Sequence, residues 1–321
     1  MKWISQLQKN PLQRLLLSEN PALLYFIRRD LLEEDAGPIE KLWALLEPAK
    51  LVKPQLADGC WKYQGKPTNS DIGTNYFLIE TYRKLRILVE KYGFTRDHPA
   101  LQKAAEYVFS CQTPEGDIRG ILSNQYMPYY MGCLLELLIK SGFKDDQRVL
   151  KGLNWLLSHQ QNDGAWINPL LAYKMQYFYE VANKDPIPPD RTKPFSHLVT
   201  GMVLRAFAAH PVYCTLKEVK NAANLLKARF FCKDAYTSHQ GVNYWISFQF
   251  PFWWTDLLSS LDSLCKLGFK RSDEDVRRGL DWFITNQQDD GLWKASYEKH
   301  PEMNQWVTLA VCRVFKYFYG T

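Results

Sequence analysis

Three titratable side chains stand where a polar stretch runs into an apolar one: Asp71 in NSDIGTNYF, His197 in KPFSHLVTG and Asp256 in WWTDLLSS. A carboxyl group at the head of a buried helix can act as a general acid, and two carboxyl groups about 5–10 Å apart can hydrolyse a glycoside. The same positions suit N-terminal caps or buried hydrogen-bond partners, and an imidazole there is by default a satisfied core or cavity group. Polar and aromatic residues crowd the neighbouring helix starts: Gln125, Tyr126, Tyr129 and Tyr130 in SNQYMPYYMGC, and Tyr244, Trp245, Trp253 and Trp254 in VNYWISFQFPFWWTD. Aromatic walls with a few polar points suit an apolar ligand, and ring faces stabilise cations. The same rings equally fill the core of a large helical protein. The segment 183–195, NKDPIPPDRTKPF, reads as a rim loop or lid. Its Arg191 and Lys193 are cations that can meet an anionic group such as a diphosphate, or simply face solvent.

The elements that must position these residues repeat. The pattern Q-x-x-[DE]-G-x-[WI] occurs at Gln55–Trp61, Gln112–Ile118, Gln160–Trp166 and Gln287–Trp293, and a degraded copy reads Phe230–Lys233–Asp234–Tyr236. Ahead of these joints, ALQKAAEYVFSCQ, VLKGLNWLLSHQ, VKNAANLLKARF and VRRGLDWFITNQ carry apolar residues at helical spacing, with Ala104, Gly152, Ala222 and Gly279 at one crossing point. After the joints come helices more apolar around their girth, near 72–91, 126–141, 196–209, 252–267 and 303–319. Three of them stop at Gly93-Phe94, Gly142-Phe143 and Gly268-Phe269. In the 252–267 stretch Thr255, Asp256, Ser259, Asp262 and Ser263 form a polar stripe, which either lines a wet cavity or bonds to neighbours. The cluster RSDEDV at 271–276 begins an outer helix and reads as charge favourable to its N-terminus. Asp163 and Asp290 read as turn residues before a glycine.

The expected fold is therefore all-α: an (α/α) toroid of five to six helical hairpins around a central cavity, one domain over 1–321. Helices near 3–17 and 21–34, within residues 1–36, close the ring, and 37–321 hold five hairpins.

Composition is consistent with this. The chain has 321 residues, 46% hydrophobic and 14% aromatic, with a formal charge of +6. The cations are scattered, so no nucleic-acid partner is expected. No apolar run reaches 18 residues and the N-terminus has no signal-like core, so no integral membrane span is expected. The seven cysteines form no CxxC and are odd in number, which points to reduced thiols and a cytoplasmic protein.

LKGLNWLLSHQQNDGAW and RRGLDWFITNQQDDGLW resemble the QW repeats of squalene–hopene cyclases and class II terpene cyclases, a repeat shared with protein prenyltransferase β-subunits. NPALLYFIRRDLLEE, KPFSHLVTGMVLRAF and FPFWWTDLLSSLDSL are similar to uncharacterised bacterial and archaeal proteins with these repeats. The resemblance covers roughly 38–319 and implies a toroid whose joints are structural. It implies a cyclase-like protein holding an isoprenoid or other apolar small molecule, with Asp71 or Asp256 as acid. The D-x-D-D acid of the cyclases is absent, and Cys133 has no nearby acid to form a zinc set with His197. Catalysis is thus left open, and no cofactor or metal is expected. The rivals are a scaffold binding a peptide or protein, which nothing excludes, and a two-carboxylate glycoside-active toroid.

Overall fold

The structure is a computed structural model that describes residues 1–65, 73–172, 178–236, 241–296 and 300–320. Among them no strand forms beyond isolated bridges, two of which close the joints Gln55–Trp61 and Gln112–Ile118. The main helices are α1 (Pro21–Phe26), α2 (Leu46–Val52), α3 (Tyr76–Tyr92), α4 (Pro99–Ser110), α5 (Pro128–Leu138), α6 (Gln147–Ser158), α7 (His197–Ala209), α8 (Lys217–Ala228), α9 (Leu257–Lys266), α10 (Glu274–Thr285) and α11 (Pro301–Tyr319).

Apolar girth sorts the helices. α5 and α7 are buried on nearly every side, whereas α6, α8 and α10 bury one stripe. The buried helices α3, α5, α7, α9 and α11 pack in succession, and each of the first four is followed outward by an amphipathic partner. The N-terminal segment completes the circle: α1 packs on α3, and the wide turn Ile27–Leu32 packs on α11. Arg313 of α11 donates to Asp30 at 2.8 Å, and the Gln287 amide bonds both N–H and C=O of Lys9 at 2.9 and 3.0 Å.

The joints draw on a shared set of bonds. The side-chain N–H₂ of Gln55 reaches Gly59 O and Ala100 O, both at 2.8 Å, and that of Gln112 reaches Gly116 O and Arg148 O, both at 2.8 Å. One bond closes the turn, and the other occupies a carbonyl at the start of the next outer helix. The indoles of Trp61, Trp166 and Trp293 donate to Leu51, Leu156 and Phe283, the residue ten places earlier. Their backbone N–H groups donate to Thr81, Thr200 and Thr308 of the following inner helices, at 3.3, 3.1 and 3.0 Å. Asp58, Asp163 and Asp290 accept from the N–H two residues on, as turn residues.

Four expectations need correction. Residues 3–17 are not one helix: they form only the turns Ile4–Gln6 and Leu12–Leu15, interrupted by Pro11, whose ring lacks the N–H a helix interior needs. The inner helices after the first and second joints start later than expected, at Tyr76 and Pro128. Residues 252–256 are non-helical, and α9 begins at Leu257 behind the Asp256–Ser259 capping box. In the degraded joint the tryptophan's place is taken by Trp245, whose indole donates to Cys232 O at 2.9 Å, and not by Tyr236, whose hydroxyl donates to Pro194 O.

Two joint glycines share a backbone but not surroundings. Gly59 (φ +93) would bring a Cβ to 2.1 Å from Lys103 O, whereas Gly164 (φ +94) has nothing within 4 Å. Gly164→Ala is expected to lose only the left-handed backbone cost, about 1–2 kcal/mol. Gly59→Ala loses that plus overpacking, about 1–3 kcal/mol more. Equal urea midpoints for the two variants would contradict the close helix approach at the first joint.

Candidate functional site

The axis of the ring is threaded by its own chain. Arg86 of α3 donates to Pro251 O at 2.9 Å, and Arg205 of α7 donates to Phe252 O and Trp253 O, both at 3.2 Å. Trp253 packs on Tyr82 (5.1 Å between ring centroids) and Tyr130 (6.2 Å), with the Arg86 guanidinium 4.5 Å from its centroid. Trp254 lies 6.1 Å from Trp253 and 6.5 Å from Tyr130. The aromatic residues expected to line a cavity thus pack largely against one another. A buried charge chain runs beside them: Arg205 Nε donates to Glu136 at 2.7 Å, and Lys140 bridges Glu136 and Glu90. Burial alone would raise the Glu136 pKa, but Arg205 and Lys140 hold it well below the usual carboxylate range.

Open space lies at the two ends of this plug. On the side of the inner-helix C-termini is a bowl of about 450 Å³. Phe26, Val89, Phe94, Phe250, Phe252 and Val314 give it an apolar floor; Arg29, Asp30, Glu90, Lys140, Asp262, Lys266 and Arg313 form a charged rim. On the opposite side a cavity of about 530 Å³ is lined by Tyr63, Glu80, Arg83, Lys84, Arg86 and Trp253 among others.

Asp256 is buried and used as a cap: its Oδ1 accepts from Ser259 N at 2.7 Å. Burial pushes its pKa up to about 7, against the pull of Ser259 and of Arg205. It faces neither of these two cavities. Asp71 lies outside the described residues. His197 is buried with its ring 4.7 Å from Trp245 and its Nδ1 3.5 Å from Asp234. Burial lowers its pKa to about 4 although Asp234 opposes the shift, so the imidazole is neutral. Asp234 accepts from Ser196 Oγ at 2.8 Å and Leu198 N at 3.1 Å, holding the start of α7. The Asp58-Gly59-Cys60 string is the first joint's turn, and burial pushes the Cys60 thiol up to about 12. No cluster of three metal-ligating side chains forms among the described residues.

Tyr126 is not on the axis. It donates to Glu115 at 2.6 Å and packs on Trp155 and His159 beside the joints. The Tyr129 ring lies tilted 4.8 Å from that of Tyr130, its hydroxyl pKa pushed up by burial. Arg191 donates to Ser158 O at 2.6 Å, and Lys193 O accepts from Gln161 at 3.1 Å. These bonds, with Gln125 on Val181 O and Ile187 N, pin the proline-rich loop to the neighbouring turns. Of the polar stripe, Thr255 bonds Leu198 O and Ser263 bonds Ser259 O, while Asp262 reaches the bowl. The bowl's charged rim was missed in the sequence because its members come from five separate segments.

A pH test reads Asp256 directly. A carboxyl group whose folded pKa is raised binds its proton more tightly folded than unfolded. Stability is therefore fully present below the unfolded carboxylate pKa and falls as pH rises toward about 7. Asp256→Asn keeps the cap oxygen and is expected to flatten melting temperature between pH 4.5 and 7 relative to the wild-type chain. Parallel curves for the two would refute the protonated cap.

No helix among the described residues is long and apolar enough to cross a membrane. No curated protein sequence matches the chain. Similar solved structures include a protein from Actinoplanes at 16% identity, covering 87% of each chain with a TM-score of 0.43. Another is the type II terpene cyclase MstE from Scytonema, at 13% identity, covering 84% of this chain and 95% of that one with a TM-score of 0.31. Residues 79–188 match the family model of the squalene-hopene cyclase C-terminal domain. Over that stretch, which holds the second and third joints, the chain is similar to the squalene–hopene and terpene cyclases.

Proposed function

We propose that this terpene-cyclase-like protein binds an apolar small molecule, of isoprenoid character or similar, in the bowl at the C-terminal end of the ring. One observation carries the reading: a concavity of about 450 Å³ with an apolar floor and polar rim, built from the ends of the inner helices. Its size and make-up suit a small ligand. The aromatic plug gives the bowl a rigid base, because two buried arginines hold its carbonyls.

Titration calorimetry with the neutral alcohol farnesol tests the reading. Ala310 lines the bowl, so Ala310→Trp fills it and is expected to weaken farnesol at least tenfold. Tyr126→Phe, at the joint, leaves the affinity unchanged. Unaltered binding in a folded Ala310→Trp variant, or no binding to the wild-type chain, overturns the proposal.

A further inference from the structure

A second cleft of about 720 Å³ adjoins the bowl, and Asp30, Arg313 and Tyr317 line both. We infer that this cleft receives the anionic head of the molecule whose apolar body occupies the bowl, so that the ligand is a single-chain amphiphile with a carboxylate or phosphate head. The inference rests on the bowl being the binding site.

The charges decide it. Four cations line the cleft: Lys270, Arg271, Arg313 and Lys316. Two are already satisfied. Arg313 is neutralised by Asp30, and Lys316 lies 2.7 Å from both Glu33 and the Asp30 carbonyl. The other two are not: among the described residues neither Lys270 nor Arg271 forms an ion pair. The nearest acid in sequence, Asp273, is engaged by Lys227 of α8 at 2.9 Å. The Arg271 guanidinium lies 5.2 Å from the Tyr319 ring centroid, a stacking that orders it while its N–H edge stays able to donate. Phe269 and Phe318 back the cleft, and Tyr317, 41% exposed, stands on the wall between the two spaces. A chain leaving the apolar floor past Tyr317 therefore enters a cleft lined by two cations that form no ion pair among the described residues. A neutral ligand would leave them unused, and a dianion would match both.

Three probes sharing one twelve-carbon chain, used as monomers, separate the parts: dodecanol, laurate and dodecyl phosphate, with inorganic phosphate as the head alone. The two anionic probes are expected to bind at least tenfold tighter than dodecanol. Lys270→Glu with Arg271→Glu removes that advantage without weakening dodecanol, and Ala310→Trp weakens all three. Dodecanol binding as tightly as the anions, or anionic probes indifferent to the charge reversals, overturns the head site and leaves the bowl standing. Inorganic phosphate as tight as dodecyl phosphate overturns the joining of the two spaces. Failure of every chain-bearing probe overturns bowl and head site together. Capture by phosphatidylglycerol vesicles without binding of any monomeric amphiphile assigns the cations to a lipid surface and also overturns the inference.

Discussion

Replacing Arg205 by alanine is expected to lower the free energy of unfolding by about 3–5 kcal/mol, the range for breaking a buried ion pair from one side. Arg205 and Glu136 are both almost wholly buried, on adjacent inner helices. Without the guanidinium, Glu136 keeps only Lys140, and the carbonyls of Phe252 and Trp253 lose their donor. The carboxylate must then either remain charged in a poorer site or take up a proton. Arg205→Lys retains the charge but not the planar fork that reaches three acceptors, so an intermediate loss is expected. Arg205→Met combined with Glu136→Gln removes both charges, and it should recover part of the loss. Urea titration checks the series: midpoints should fall in the order wild type, Arg205→Lys, Arg205→Ala at unchanged slope. An Arg205→Ala midpoint within error of wild type would mean that the plug and the α5–α7 seam do not depend on this pair.

That pair also marks where sequence stops being informative. The joints were readable because their bonds are local. The Gln-to-Gly and Trp-to-tenth-residue links span fixed intervals, and the glycines occupy left-handed backbone wherever the pattern recurs. The stops at Gly93, Gly142 and Gly268 were readable for the same reason. The threonines that receive the joint N–H groups were not, since Thr81, Thr200 and Thr308 follow their tryptophans by 20, 34 and 15 residues. The plug was invisible too. FPFWWTD carries no helix-breaking signal after Pro251, and what holds the Pro251 and Phe252 carbonyls across the ring is a pair of arginines 165 and 47 residues away. An aromatic run at a helix start reads alike whether it lines a cavity or fills one. Only the non-local bonds decide, and they move the open space from the axis to the ends.

The second large effect is expected at the third joint. Trp166→Ala should destabilise the protein by about 3–5 kcal/mol, the usual cost of truncating a fully buried aromatic side chain. The indole is 0% exposed, stacks 5.5 Å from Phe207 of α7, and caps the outer helix by donating to Leu156 O at 2.7 Å. One substitution thus opens a cavity between inner and outer layers and strips a buried carbonyl of its partner. Trp166→Phe restores part of the packing but not the indole N–H, so a loss of about 1–3 kcal/mol should remain. Thr200 adds a separable effect. Its hydroxyl accepts from the Trp166 backbone N–H and donates to the Trp166 carbonyl at 3.3 Å, bonds that survive truncation of the side chain. Thr200→Val leaves that buried N–H unpaired and should cost about 1–3 kcal/mol by itself. The two losses reach different parts of residue 166, and the double variant measures their coupling in urea-melt free energies, which direct contact lets reach about 0.5–3 kcal/mol. A Trp166→Ala loss below 1 kcal/mol would show that the joint is dispensable to the ring. Strong non-additivity would show instead that the indole, rather than the turn backbone, positions Thr200.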